Sequence, residues 1–166
     1  MALSAKIAVP IGPVPITGQT LAIPVLVALL GRNQAVYAIL AYLAEGLAGL
    51  PVFAAGALFG PTAGYLLAFP VAAFIIGSLY ERGFGRTYGL RFFAVFLGTS
   101  IVFVGGAAWL MVFLKISVAK AFAAGVLPFL IGDVAKCLIA AGVPPSWPRF
   151  AQTLGIRDAV SRAPEN

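Results

Sequence analysis

Residues 128–141 read PFLIGDVAKCLIAA, an apolar run that contains two opposite charges, Asp133 and Lys136. A charged side chain at the centre of a transmembrane helix costs roughly 2.5–3.5 kcal/mol on insertion scales. Charges in such a place commonly mark a ligand site, a relay, or a pair that faces the interior of a helix bundle. The run therefore predicts a membrane-embedded helix whose two charged residues either bind a ligand or bind each other.

The composition of the whole chain indicates the same environment. Of its 166 residues, 61% are hydrophobic and only 10% are charged, and the mean hydropathy is +1.03. Charged residues make up about 25% of an average soluble domain. The apolar runs are long and continuous, without the two-residue alternation of a barrel strand, so helices are favoured over a β-barrel. We therefore predict an all-α integral membrane protein.

Six apolar segments, separated by proline, glycine or basic residues, predict a six-helix transmembrane bundle. We expect a single transmembrane domain over residues 1–145, followed by a polar cytoplasmic tail over residues 146–166. The segments cover residues 2–9, 18–31, 34–49, 62–81, 90–114 and 118–143.

The first and last segments differ from a simple span. Fewer than ten residues precede Pro10, whereas a span needs about 20, so we expect a truncated first helix whose true start lies upstream of Met1. In the sixth segment, Gly125, Pro128 and Gly132 predict a broken helix. Irregular backbone at membrane depth is tolerated where it lines a cavity, so a cavity is expected beside this segment.

The basic residues of the connections predict the orientation in the membrane. Seven arginines lie between segments two and three, between segments four and five, and in the tail. The connections after segments one and three contain no basic residue, and the connection after segment five has two lysines. By the positive-inside rule both termini are cytoplasmic. The net charge of +6 is then explained by basic cytoplasmic loops that contact anionic lipid of the bilayer, and it does not indicate binding of nucleic acid.

Several kinds of chemistry lack the residues they need. The chain has no histidine and a single cysteine, Cys137, so a Ser-His-Asp triad, a Cys-His nucleophile and a cysteine-based metal site are not expected. The stretch GPTAGY at residues 60–65 lacks the Gly-Lys-Ser/Thr ending of a phosphate-binding loop. We therefore expect no enzyme activity, no cofactor and no metal.

Four polar residues are candidates for a binding site, and each has a structural alternative. Asp133 follows Gly132 and could instead cap the helix that carries Lys136, whose amine could reach the membrane interface. Glu45 could line the same cavity, reach the outer interface or pair with a lysine. Gln19 could cap the second segment or line a pocket.

Four aromatic residues near the outer ends could supply the apolar lining of a small-molecule pocket. For any single one of them, contact with lipid or with the interfacial belt is the alternative. They are Phe53, Tyr65, Trp109 and Phe129.

Four stretches in a fixed order resemble the BioY family, the substrate-binding membrane (S) subunits of energy-coupling-factor (ECF) biotin transporters. Each stretch alone is weak, but the ordered set is specific and covers about residues 5–142. The stretches are AVPIGPVP at 8–15 with QT at 19–20, GLPVF at 49–53, GPTAGYL at 60–66 and PFLIGDVAK at 128–136.

The resemblance implies a six-helix domain of a bacterial plasma (inner) membrane with one biotin site open to the outside, which works with a transmembrane coupling (T) subunit and cytoplasmic ATPases. It implies that Asp133 accepts a hydrogen bond from a ureido N–H of biotin, and that Lys136 contacts a carboxylate or ureido oxygen. Gln19 and Tyr65 would add polar contacts. The apolar contacts to the ring or tail would come from Phe53, Trp109 and Phe129.

The sequence differs from the family pattern in two places, and two alternative functions stay open. The connection from Phe53 to Gly60 is short for the family. We also expect the first helix, which the resemblance implies docks on the coupling subunit, to be truncated. An S subunit for another vitamin is the main alternative function. A structural membrane subunit is another, but it leaves the charged pair unexplained.

Overall fold

The computed structural model describes residues 1–10, 14–54 and 59–146, and within these ranges the chain folds into α-helices with one short hairpin. The predicted tail and its arginines therefore lie almost entirely outside the described residues. The elements in chain order are α1 (Ala2–Lys6), β1 (Ala8–Val9), β2 (Ile16–Thr17), α2 (Gln19–Leu30), α3 (Arg32–Leu47), α4 (Ala63–Leu79) with a π-helical turn (Tyr80–Phe84), α5 (Tyr88–Leu114), α6 (Val118–Gly125) and α7 (Leu127–Ala141).

The all-α prediction is confirmed, and each of the six apolar segments contains a helix, although Ala8 and Val9 of the first segment form strand β1. The predicted break in the sixth segment exists, since α6 and α7 meet at 46°. The break follows Gly125, one of the three predicted interruptions, whereas α7 continues through the other two, Pro128 and Gly132. Pro128 occupies the first turn of α7, where a helix needs no N–H from it. Asp133 therefore lies inside α7 and does not cap it.

Two described helices are long and apolar enough to cross a membrane singly: α4 with its π-helical turn, and α5. The bent pair α6–α7 makes a third if it is counted as one span. The second and third helices are shorter, with 12 and 16 residues. They are joined by Gly31, whose φ of 82° suits glycine. Helix α1 is the short first helix that the sequence predicted, at about 7.5 Å long.

Close packing of α4 against α5 forms the centre of the bundle. At Gly64 and Gly105 the backbones approach so closely that a Cβ on Gly64 would overlap the Gly105 carbonyl. Small residues of this kind allow membrane helices to pack without large side chains between them. Apolar side chains cover the outer surface, as at Ile131, which is 88% exposed. Such a surface is suited to lipid.

The two ends of the bundle differ in charge. At one end Arg32 pairs with Glu81 at 2.9 Å, and the Ser146 N–H donates to the Ala28 carbonyl. Helix α1 lies at the other end, where the Lys6 amine donates to the Pro51 carbonyl at 2.9 Å. The placement of α1 differs from the prediction that Met1 lies at the basic end, because five helical residues are too short to reach it.

Arg91 joins α5 to the end of α7, and we expect Arg91→Gln to destabilise the protein. The guanidinium donates to the Ala141 carbonyl at 2.6 Å and to the Gly85 carbonyl at 3.2 Å. Losing these charge-assisted bonds should lower the free energy of unfolding by about 1.5–3 kcal/mol. Denaturation of the purified protein in detergent measures it. Arg82→Gln, at an exposed neighbouring position, is the control, and an equal effect of both changes would contradict the expectation.

Candidate functional site

A mostly apolar cavity lies inside the end of the bundle away from Arg32. Its volume is about 50 Å³, and α2, α4, α5 and α7 contribute to its wall together with β2. Such a space holds only a few water molecules. Described residues that line it are Val14, Pro15, Thr17, Gln19, Thr20, Ala54, Thr62, Tyr65, Phe69, Val102, Phe103, Phe129 and Lys136.

One face of α7 brings together the side chains that the sequence singled out. Phe129, Asp133 and Lys136 follow the three- and four-residue spacing of a helix face, while Ile131 and Ile139 point away from the protein interior. Phe129 is buried. Both Phe129 and Lys136 border the cavity. Lys136 is the one charged side chain among the described residues of the cavity wall.

The Lys136 amine forms hydrogen bonds to two other elements of the cavity wall. It donates to the Thr17 carbonyl at 2.6 Å and to the Thr20 hydroxyl at 3.2 Å. These bonds join α7 to β2 and to the first turn of α2. An ammonium has three N–H donors, so one remains for another acceptor. Within the described ranges Lys136 forms no ion pair with Asp133 within 4 Å, so the mutual pairing considered from the sequence does not occur.

Asp133 is buried behind this wall, with 4% of its surface exposed. One carboxylate oxygen, Oδ2, accepts from the Cys137 thiol at 3.6 Å, and that sulfur lies 3.5 Å from the Thr99 hydroxyl. The other oxygen, Oδ1, has no hydrogen-bond partner. A buried acceptor left without a donor is costly. Asp133 can thus accept a further hydrogen bond at Oδ1, and the bond that its Oδ2 receives comes from a thiol, which is a weak donor.

Gln19 borders the cavity and is held by hydrogen bonds on both sides of its amide. Its Nε2 donates to the Tyr42 hydroxyl at 2.7 Å, and its Oε1 accepts from the Thr17 hydroxyl at 3.2 Å. Gly18 is the N-cap residue of α2, and no side chain caps this end. The capping alternative for Gln19 is therefore wrong.

Tyr65 and Phe129 form an aromatic wall together with Phe103. The ring centroids of Phe129 lie 6.4 Å from Tyr65 and 6.1 Å from Phe103. The Tyr65 hydroxyl donates to the Gly125 carbonyl at 2.6 Å, next to the break between α6 and α7. Its hydroxyl proton is therefore already engaged with the protein, while its ring faces the cavity.

Besides Asp133, which lies behind the described cavity wall, three predicted site residues lie away from it. Phe53 packs its ring on Tyr42 at 5.3 Å, above Gly46. The Trp109 indole N–H donates to the Gly60 carbonyl at 2.9 Å and so ties α5 to the start of α4. Glu45 is exposed at the end of α3. Their direct contact with a ligand stays a prediction that this geometry does not support.

Sequence reasoning missed Tyr42, Phe103 and Thr17. Tyr42 is 3% exposed and lies within an ordinary apolar helix, so nothing in the local pattern separates it from core residues. Thr20 lies beside Gln19 at the start of the second segment, in one of the stretches that carry the family resemblance, and it borders the cavity.

The family model and the individual relatives that match this chain carry the same family name. The sequence pattern of the BioY family matches residues 1–153. The chain is 36% identical to the probable biotin transporter BioY of Pyrococcus horikoshii, over 83% of each protein. It is 33% identical to the biotin transporter BioY of Thermotoga maritima, over 84% of this chain and 83% of that protein.

A solved structure has the same fold. The crystal structure of the S-component for biotin from an ECF-type ABC transporter superposes with a TM-score of 0.78. The two chains are 28% identical, and the match covers 86% of this chain and 81% of the other. The match with the family pattern covers most of the chain, the relatives match over most of their length, and the helices occupy the same arrangement. The chain belongs to the BioY family.

Proposed function

We propose that this chain is the biotin-binding S subunit of an ECF-type transporter and takes part in biotin uptake across a membrane. Both the curated relatives and the solved structure are biotin proteins by name, and their matches extend over most of this chain. The chain is thus a transport subunit and not an enzyme.

The observation that carries the ligand assignment is the unused hydrogen-bonding capacity of the buried Asp133 and of the half-buried Lys136 on the cavity wall. Asp133 Oδ1 has no donor, and Lys136 uses two of its three N–H groups. Biotin offers ureido N–H donors, a ureido oxygen and a valerate carboxylate. Asp133 accepts from a ureido N–H, and Lys136 donates to a ureido or carboxylate oxygen. Both bonds are charge-assisted and shielded from water, which strengthens them.

The remaining cavity wall matches the rest of the ligand. Phe129 and Phe103 pack on the apolar thioether ring or the tail of biotin. The ring of Tyr65 completes this aromatic wall beside Phe129. Gln19 supplies a polar contact from α2. Ligand pockets usually measure about 300–1,000 Å³, so a cavity of about 50 Å³ must widen to admit biotin. Separation of Lys136 from Thr17 and Thr20 widens it, with ligand oxygens taking their place.

The charge distribution supports one orientation. The basic end with Arg32 and Arg91 lies on the cytoplasmic side of a bacterial plasma membrane, and the cavity opens toward the outside. The C-terminal tail, which follows Ser146 at the basic end, is then cytoplasmic. A transmembrane coupling subunit and cytoplasmic ATPases supply the energy for uptake.

Binding of radiolabelled biotin to the detergent-purified chain tests this function. We expect saturable binding that excess unlabelled biotin displaces and that a vitamin without a ureido ring, such as thiamine, does not. Displacement by thiamine and not by biotin would assign the subunit to another vitamin. Absence of biotin binding at micromolar concentration would contradict the proposal.

A further inference from the structure

Three hydrogen bonds in series run from the cavity wall to the loop after α3. Thr17 Oγ1 donates to Gln19 Oε1 at 3.2 Å, Gln19 Nε2 donates to the Tyr42 hydroxyl at 2.7 Å, and Tyr42 donates to the Val52 carbonyl at 3.3 Å. A carbonyl oxygen only accepts, so the Tyr42 proton points to Val52 and its oxygen faces Gln19. The series therefore sets the orientation of the Gln19 amide, with nitrogen toward Tyr42 and oxygen toward Thr17.

Tyr42 is held rigidly in this position. It is 3% exposed, and its ring meets Phe53 edge to face, with centroids 5.3 Å apart and planes at 86°. Phe53 in turn fills the space above Gly46, where even a Cβ would overlap its ring. Tyr42 itself does not border the described cavity, whereas Gln19 does. The Tyr42 hydroxyl is linked to the cavity wall by its hydrogen bond with Gln19.

The orientation of the amide matters because of its neighbour. Thr17, whose hydroxyl holds Gln19 Oε1, also accepts from the Lys136 amine through its carbonyl at 2.6 Å. An acceptor and a cationic donor are thus brought to the same part of the wall. A cyclic urea presents the matching pattern, in which a carbonyl acceptor is flanked by N–H donors. A flipped amide would instead set its own N–H against a ureido N–H.

We infer that Tyr42 is a positioning residue for ligand specificity. It fixes the Gln19 amide so that Oε1 accepts from a ureido N–H while Lys136 donates to the adjacent ureido oxygen. Tyr42 has this role only if biotin is the ligand, as proposed above. Loss of its hydroxyl leaves the amide free to flip, and recognition of the ureido ring weakens.

A double-mutant cycle on the purified full chain tests this role. Biotin dissociation constants are measured for wild type, Tyr42→Phe, Gln19→Ala and the double variant. We expect about tenfold weaker binding in each single variant, and no further loss in the double variant, because Tyr42 acts through Gln19. Tyr37→Phe, on the same helix with 68% exposure, should bind like wild type.

Ligand analogues give a readout that a merely structural role would not change. Desthiobiotin keeps the ureido group and lacks the thioether, so Tyr42→Phe should weaken it by the same factor as biotin. An analogue with methylated ureido nitrogens should bind weakly and respond little to Tyr42→Phe. If Tyr42→Phe does not fold, Thr17→Val, which frees the other side of the amide, replaces it in the cycle.

The outcomes distinguish failure of the positioning role of Tyr42 from failure of the proposed function. If wild type binds biotin but Tyr42→Phe binds equally well, or if the cycle is additive, the positioning role is overturned and the proposed function stands. An equal loss for the methylated analogue also overturns it. If wild type does not bind biotin, the proposed function is overturned and the role of Tyr42 with it.

Discussion

Lys136→Met should weaken biotin binding by at least about 30-fold. Removing one partner of a desolvated, charge-assisted contact costs roughly 2–5 kcal/mol, and each 1.4 kcal/mol is a factor of ten. Methionine keeps the unbranched side chain as far as Cε, but it lacks the amine and cannot donate to a ligand oxygen. The change also removes the bonds to Thr17 and Thr20 that join α7 to β2 and α2. Equilibrium binding of radiolabelled biotin to purified protein measures the effect.

A lysine outside the cavity provides the matched control. Lys120 is exposed on α6, so Lys120→Met removes the same charge without touching the site. Biotin binding should be unchanged in this variant. A similar loss in both would indicate that net charge, and not a contact in the cavity, determines the affinity.

Asp133→Asn separates binding from stability. Asparagine has nearly the same shape, but its neutral amide makes a weaker acceptor for a ureido N–H. We expect biotin affinity to fall about tenfold or more. The melting temperature of the ligand-free protein should not fall, because a buried carboxylate oxygen without a donor is itself unfavourable. A lower melting temperature with unchanged affinity would show that Asp133 is structural.

Gly106→Ala should both destabilise the bundle and impair biotin binding. A Cβ on Gly106 would overlap the ring of Tyr65, which is 7% exposed. Overpacking of this kind costs about 1–3 kcal/mol. Displacement of the ring also breaks the bond from Tyr65 to Gly125 and moves the aromatic wall of the cavity. Thermal unfolding and biotin binding, measured on the same preparation, report the two effects.

Gly132→Ala is the matched control, because the same methyl group meets open space there. No atom lies within 4 Å of the added Cβ, although Gly132 is next to Asp133 in α7. Alanine favours a helix over glycine by about 1 kcal/mol, so stability should be unchanged or slightly higher. If Gly106→Ala were as stable as Gly132→Ala, the close contact of Tyr65 with α5 would be contradicted.

The sequence predicted the site best where local periodicity was sufficient. The spacing of Asp133 and Lys136 indicated a shared helix face, and both residues lie on the inner face of α7. The contacts of Phe53 and Trp109 were harder to predict, because an aromatic residue near a helix end can face a ligand, lipid or a loop. Phe53 packs on Tyr42, and Trp109 bonds to Gly60. Nothing in their neighbouring residues distinguishes these cases.

By itself the sequence determined the membrane environment, the helical class and the face on which the two charges lie. These properties depend on composition and on spacing within single segments. Only the tertiary structure decided that Lys136 bonds to Thr17, which is 119 residues away, and that Asp133 Oδ1 remains without a donor. The physical reason is that such contacts join helices distant in sequence. Their partners are set by how the helices pack, which no local pattern encodes.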